Sequence, residues 1–248
     1  MDDGYRSLGN NRIEMSALQN GKRLVIFDLD GTITFNDSFI ACLKWFLLRR
    51  PWRTVRCLWL PAIVAAFKLG YVDNTYVKRQ CLKAVLGGCH RNKIETWTDQ
   101  FVRHLMKHQI KPAALRRIEH HRAVGDHLVL VTASLDVYVQ HLGIALGFDH
   151  VLSTKAAWTA HNTLSGEIDG PNLKGNEKVT AVEKWLSENY SLKRNNAEQV
   201  EHLTVYSDHH SDLPLMLVAG TAIAVDPTPE LAQAAGTYKF SIERWNAA

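Results

Sequence analysis

Cysteine is scarce in this chain and follows no ligand pattern. Among 248 residues there are four, Cys42, Cys57, Cys81 and Cys89. No two of them stand in the C-x-x-C spacing of a zinc or redox site. A reduced, cytoplasmic protein whose thiols pack rather than react is the simpler reading. Long apolar runs are missing as well. The stretch Leu58–Phe67 is interrupted by Pro61, and it falls far short of the ~20 residues that span a bilayer. The opening Met1-Asp2-Asp3-Gly4 is acidic and leads into no apolar segment, which argues against a secretory signal. Residues 1–20 read as a flexible leader with a short helix around Ile13–Leu18. No internal repeat or low-complexity segment is visible. Lys and Arg are scattered, and no nucleic-acid-binding motif is present. The net charge of +4 and the pI near 8.8 suit an anionic substrate or an acidic membrane surface instead.

What is present is a globular composition, with 46% hydrophobic and 22% charged residues. The length allows one large domain or a domain with an insertion. Leu24-Val25-Ile26-Phe27 is a short continuous apolar run that stops at Asp28, as a fully buried parallel strand would. The pattern returns in Leu128–Val131 before Thr132, in Leu203–Tyr206 before Ser207-Asp208, and in Ile223–Val225 before Asp226. Helical spacing of apolar residues predicts helices over Leu135–Leu146 and Lys178–Asn189, and shorter ones over Leu213–Val218 and Pro229–Ala235. Strand and helix alternate, so the expected fold is α/β: a Rossmann-like, doubly wound parallel sheet. Ligands in such sheets bind beyond the carboxyl ends of the strands. The polar residues that follow each strand should therefore meet at one site.

Residues 38–117 break the alternation. They are rich in Leu, Trp and basic side chains and predict helices over Ser38–Arg49, Thr54–Leu69, Asn74–Leu86 and Arg91–His108. The expected organisation is a core over 21–37 and 118–248 with a helical cap over 38–117. Trp45, Trp52, Trp59 and Trp97 are expected to pack within the cap. His120 and His121 are expected at a solvated helix end, and His209 and His210 in a polar loop.

Chemistry concentrates in two acidic pairs. Asp28 and Asp30 lie in Phe27-Asp28-Leu29-Asp30-Gly31-Thr32. Asp208 and Asp212 lie in Ser207-Asp208-His209-His210-Ser211-Asp212. Carboxylates gathered at one site repel, and burying them unpaired is costly. A divalent cation resolves this, and Mg²⁺ prefers oxygen ligands shared with a substrate phosphate.

The set Asp28-Leu29-Asp30-Gly31-Thr32, Thr132, Lys178 or Lys174, and Asp208 with Asp212 resembles the four ordered motifs of the haloacid dehalogenase superfamily across about 190 residues. Val131-Thr132-Ala133-Ser134, Gly175-Asn176-Glu177-Lys178 and Asp212-Leu213-Pro214 look like the branch that contains phosphoserine phosphatase. The basic and apolar insertion is similar to bacterial phosphatases acting on phosphatidylglycerophosphate.

The resemblance implies a Mg²⁺-dependent phosphatase. Uncatalysed phosphate-ester hydrolysis calls for accelerations of up to ~10²¹, and a covalent intermediate divides the barrier. Asp28 would attack phosphorus and form an aspartyl phosphate. Asp30 would protonate the leaving alcohol and then activate water. Mg²⁺ would be held by Asp28, the Asp30 carbonyl and Asp208. Thr132, Ala133 and Lys178 would bind the phosphate, with Lys174 as the alternative lysine. Asp212 would act from behind, orienting Lys178 or a water on the metal. The Asp at position 30 favours a phosphatase or phosphotransferase over a dehalogenase.

The expected substrate is a small phosphorylated metabolite, and no nucleic-acid partner is expected. One alternative is a lipid phosphate, with peripheral contact at the anionic inner membrane face. Another is a silent phosphate-binding regulatory module, against which the complete set of catalytic groups argues.

Overall fold

The computed structural model describes residues 23–190 and 202–246. The expected leader and its short helix lie outside the described residues, as do Gly21 and Lys22.

One sheet organises the chain. Its strands are β1 (Leu24–Phe27), β2 (His127–Leu135), β3 (His150–Trp158), β4 (Leu164–Asp169), β5 (Leu203–Ser207), β6 (Thr221–Val225) and β7 (Ser241–Glu243). Their order is β4-β3-β2-β1-β5-β6-β7. Neighbours run parallel, except that β3 and β4 form an antiparallel hairpin. The expected α/β architecture is therefore present. β1 is central, with Val25 opposite both Leu128 of β2 and Thr204 of β5. Every residue of β1 and β5 is buried, which is why these runs show no polar alternation. Side chains still alternate between the faces. Val25 and Phe27 join one apolar cluster, and Leu24 and Ile26 join the other.

The insertion follows β1. Helix α1 (Ser38–Arg49) starts at Asp37, whose carboxylate accepts the Ile40 N–H at 2.8 Å. It stops at Arg49 and leaves Arg50 outside, since the residue preceding proline disfavours helical backbone. The single helix expected over Thr54–Leu69 is instead two pieces: a 3₁₀ segment over Pro51–Cys57 and helix α2 (Leu60–Lys68). Pro61 has no N–H to donate and is tolerated only in a first turn, so the α-helix begins around it. Helix α3 (Asn74–Val85) is capped by Asp73, and α4 (Arg91–His108) follows. Phe39, Leu43, Phe46, Leu82 and Phe101 of these helices share the cluster that holds Val25 and Phe27. The insertion is thus continuous with one face of the sheet.

Helix α5 (Pro112–Ala123) was not expected. It runs through the 117/118 boundary drawn from the sequence. The chain rejoins the sheet earlier, where Ile110 bridges Thr34 and the buried Lys111 reaches the Gly31 carbonyl and Asp226. His121 is buried on α5 rather than solvated, bonded to Asp126 at 2.7 Å and to the Tyr206 hydroxyl at 2.9 Å. Trp45 and Trp97 pack as expected, but Trp52 and Trp59 are exposed.

Helices α6 (Asp136–Leu146), α7 (Asn176–Tyr190), α8 (Leu213–Leu217) and α9 (Pro229–Tyr238) complete the layers. Val182 and Trp185 of α7 pack on the face that carries Leu24 and Ile26. The β3–β4 hairpin grips the insertion through main-chain bonds. Gly88 N–H donates to Leu164 O at 2.7 Å, and Leu164 N–H donates to Cys89 O at 2.9 Å.

Candidate active site

β1 ends at Phe27 and places Asp28 at the sheet's carboxyl edge, where it is largely buried. The chain then turns tightly, with Ile33 and Thr34 N–H groups both donating to Leu29 O. Gly31 carries φ +83°, and a Cβ there would lie 2.1 Å from Asp208 Oδ2. Glycine is required because the loop packs directly against the carboxylate brought by β5. Thr32 Oγ1 donates to the other oxygen of Asp208 at 3.3 Å.

Lys178 lies in the first turn of α7 and is 3% exposed. Its ammonium donates to Asp28 Oδ1 at 2.6 Å and to Asp212 Oδ2 at 2.6 Å. Lys174 is exposed, and its N–H bonds to the Asn172 carbonyl. Lys178 is therefore the lysine that touches Asp28. Ser207 Oγ donates to the same Asp212 oxygen at 2.8 Å.

Asp30 points elsewhere. Its Oδ1 accepts the Ser38 N–H at 2.6 Å, and its Oδ2 accepts the Ser134 hydroxyl at 2.6 Å. Ser38 Oγ in turn meets Tyr138 OH at 2.8 Å. This carboxyl group is thus held between the start of the insertion and β2, apart from the Lys178 pair.

Thr132 is buried inside β2, not at its end, because the strand continues to Leu135. Pairing with β3 shifts register between Thr132 and Leu135. Thr132 Oγ1 accepts the Ser134 N–H at 3.0 Å, while α6 begins without any side-chain cap. The Ala133 carbonyl accepts Lys78, a buried residue of α3, at 2.6 Å, and Lys78 also donates to Asn172 Oδ1 at 2.5 Å.

The electrostatics are those of crowded carboxylates. Burial, opposed by Lys178 and reinforced by Asp212, Asp208 and Asp30, pushes the Asp28 carboxyl well up. Burial and then Asp37 raise Asp30, with bonds from Ser134 and Ser38 pulling the other way. Burial and then Asp212 push Asp208 up to about 6. Burial disfavours the Lys178 charge, but Asp212 and Asp28 outweigh it and hold the ammonium protonated. Burial pulls Lys78 down to about 8.

Asp28 and Asp208 lie close enough for the charge of one to act on the other, and both offer oxygen donors. Among the described residues, no three His, Cys, Asp or Glu side chains gather as a self-sufficient metal cage. Oxygen donors of this kind suit Mg²⁺, which takes one or two carboxylates and leaves positions for water and phosphate. The excess of carboxylates over buried cations is the charge that a divalent ion would offset. His209 and His210 stack with ring centroids 4.4 Å apart, and His209 Nδ1 accepts the Ser211 N–H.

Residues 25–217 match the model of the haloacid dehalogenase-like hydrolase family. The chain belongs to that family. It is 28% identical over 199 residues to the protein CicA of Caulobacter vibrioides, covering 79% of this chain and 82% of that one. It is 23% identical over 214 residues to the histidinol-phosphatase of Neisseria meningitidis, covering 85% and 93%. A phosphoserine phosphatase solved with an analogue of its phospho-aspartyl intermediate superposes with a TM-score of 0.60 at 19% identity, covering 89% of this chain and 92% of that one. At that identity the superposition speaks for the shared fold.

Sequence reasoning missed the roles of Ser38, Lys78, Asn172 and Lys111. Ser207 and Ser134 were each quoted within a motif but given no task. Lys78 looks like one more surface cation of a basic helix, and no local pattern marks it. Only the folded chain brings it to the Ala133 carbonyl.

Proposed function

We propose that this hydrolase is a Mg²⁺-dependent phosphomonoesterase that works through an aspartyl phosphate on Asp28. The observation that carries the reading is the buried Lys178, which joins Asp28 to Asp212 across 150 and 34 residues of sequence. Such an arrangement aims one carboxylate oxygen while keeping a point charge beside it for a phosphoryl group.

Asp28 attacks phosphorus. The P–O bond to the leaving alcohol breaks, and Asp30 supplies the proton that the alkoxide takes. Asp30 then accepts a proton from the water that attacks the aspartyl phosphate, which releases phosphate and restores Asp28. Its two hydrogen bonds, to Ser38 and Ser134, hold it ready for both steps and apart from Lys178. Thr132, the Ala133 main chain and Lys178 bind the phosphate oxygens, and Asp212 with Ser207 fixes Lys178. Asp28, Asp208 and the Asp30 carbonyl would hold Mg²⁺, which screens the nucleophile from the charge of the phosphate. The helical insertion acts as a cap that excludes water, with Lys78 joining it to β2.

A small phosphorylated metabolite is the substrate class this reading prefers. The support is that one of the relatives named above is a histidinol-phosphatase, named for a compact phosphomonoester.

Phosphate release from a panel of phospho-amino acids, sugar phosphates and a micellar lipid phosphate, with and without Mg²⁺, tests the proposal. Mg²⁺-dependent release from a soluble member is expected, with none from Asp28→Asn. Release only from the lipid member would move the substrate class. Turnover by Asp28→Asn would remove the mechanism.

A further inference from the structure

From Pro51 to Gly70 no residue is buried. Every residue from Leu60 to Phe67 is apolar, yet α2 buries none of them fully, and of these only Leu60 packs against the core. Leu58 is 77% exposed, Leu69 72% and Trp52 64%. So many large apolar side chains left exposed in one segment mark a place where something else binds.

Charge says what binds. Between Ser38 and Val72 the chain has six cations, Lys44, Arg49, Arg50, Arg53, Arg56 and Lys68, and no Asp or Glu. The support beneath the patch is firm. Arg53 donates to Val85 O at 2.7 Å and to Gly87 O at 3.1 Å, and Arg56 donates to Lys83 O at 2.9 Å. These bonds tie the 3₁₀ segment to the carboxyl end of α3. Arg49 lies over the Trp45 ring at 3.4 Å, and Lys44 and Lys68 are exposed at the margin.

A second copy docked face to face would set these cations against their own equivalents with no acidic partner, and like-charge juxtaposition is costly. An anionic bilayer meets both features at once. The apolar helix sinks into the acyl boundary, the exposed Lys44, Arg49 and Lys68 meet lipid phosphates, and the tryptophans sit at headgroup depth. Among the described residues no helix is long and apolar enough to cross a membrane, so the contact is peripheral.

We propose that the surface formed by residues 51–71 docks this protein onto anionic lipid bilayers. The proposal stands apart from the catalytic assignment, because none of these residues belongs to the site built around Asp28.

The test is co-sedimentation with vesicles of phosphatidylcholine alone or mixed with phosphatidylglycerol, alongside size-exclusion chromatography. The protein should pellet with the anionic vesicles and stay in solution with the zwitterionic ones, and binding should weaken as salt rises. The double variant Leu58→Asp with Phe67→Asp should lose vesicle binding while keeping its melting temperature and its hydrolysis of a soluble phosphoester, since both side chains are exposed. Lys44→Gln and Lys68→Gln should each lower partitioning about fivefold. Failure of the wild type to bind anionic vesicles at low salt would overturn the proposal, as would undiminished binding by the double variant. A dimer that the same double variant dissolves, with no vesicle binding, would overturn it in favour of a second copy.

Discussion

Lys178→Met removes the one ammonium that stands between two buried carboxylates. Methionine fills a similar volume but donates nothing, so Asp28 and Asp212 both lose a charged bond of 2.6 Å. Removing one member of a buried ion pair costs about 3–5 kcal/mol, because the charge left behind stays desolvated. Domain stabilities run from about 5 to 15 kcal/mol, so the loss is a large share of the whole. For a chain of this size it corresponds to a fall in melting temperature of roughly 10 °C. Asp212→Asn in the same protein removes one of the stranded charges. The double variant should therefore be less destabilised than the sum of the two single changes. The gap between Lys178→Met and the wild type should narrow as pH falls, because burial raises the Asp28 pKa and a protonated Asp28 no longer needs the ammonium. Chemical denaturation at neutral and mildly acidic pH measures all of this. A Lys178→Met protein as stable as the wild type, or strictly additive single and double variants, would refute the reasoning.

Asp30→Asn should leave Mg²⁺ affinity by calorimetry near that of the wild type, because the carboxylate faces Ser38 and Ser134, while turnover falls roughly 10²–10⁴-fold; a lost metal site would contradict that placement. Gly31→Ala forces a non-glycine residue to φ +83° and drives a methyl group into Asp208. We expect a loss of at least about 1–2 kcal/mol in denaturation experiments and greatly weakened Mg²⁺ binding. Burial, opposed by Asp149, lowers the His127 pKa to about 4. The folded state thus prefers the neutral ring, and the unfolded histidine titrates near 6.5. This contribution to stability is intact above about pH 6.5 and declines as pH falls toward about 4, by roughly 3 kcal/mol in all. The stability difference between wild type and His127→Gln should follow that curve, and a pH-independent difference would count against it.

The central strands were legible because burial on both faces leaves only one kind of sequence, a continuous apolar run ending in a polar residue. Asp28 and Asp208 were found that way, Lys178 came instead from the family resemblance with Lys174 as its alternative, and α1 and α4 match their expected bounds. The hairpin β3–β4 was not found. It is antiparallel at the sheet's edge, and polar residues such as Lys155 and Glu167 interrupt its apolar pattern. Asn162 at φ 54° marks its turn, and the Asn-Thr flanked by short β-rich runs was the available signal. Helix α5 was missed because its exposed face is charged and it buries only Ala114, Ile118 and His121. Pro112 at its start was the clue. Lys78 and Lys111 were beyond reach for another reason. A buried lysine is defined by its acceptors, here the Ala133 and Gly31 carbonyls, and only the folded chain brings those together.

The account stands or falls on where the phosphoryl group goes. The most direct test is to quench the enzyme in acid during turnover of a small phosphate ester, reduce the trapped protein with borohydride, and map its peptides. An aspartyl phosphate reduced in this way becomes homoserine. The account predicts homoserine at position 28, Mg²⁺-dependent and missing from Asp28→Asn. A phosphoryl group found on His209 or His210, or turnover with no trapped intermediate at any quench time, would contradict it.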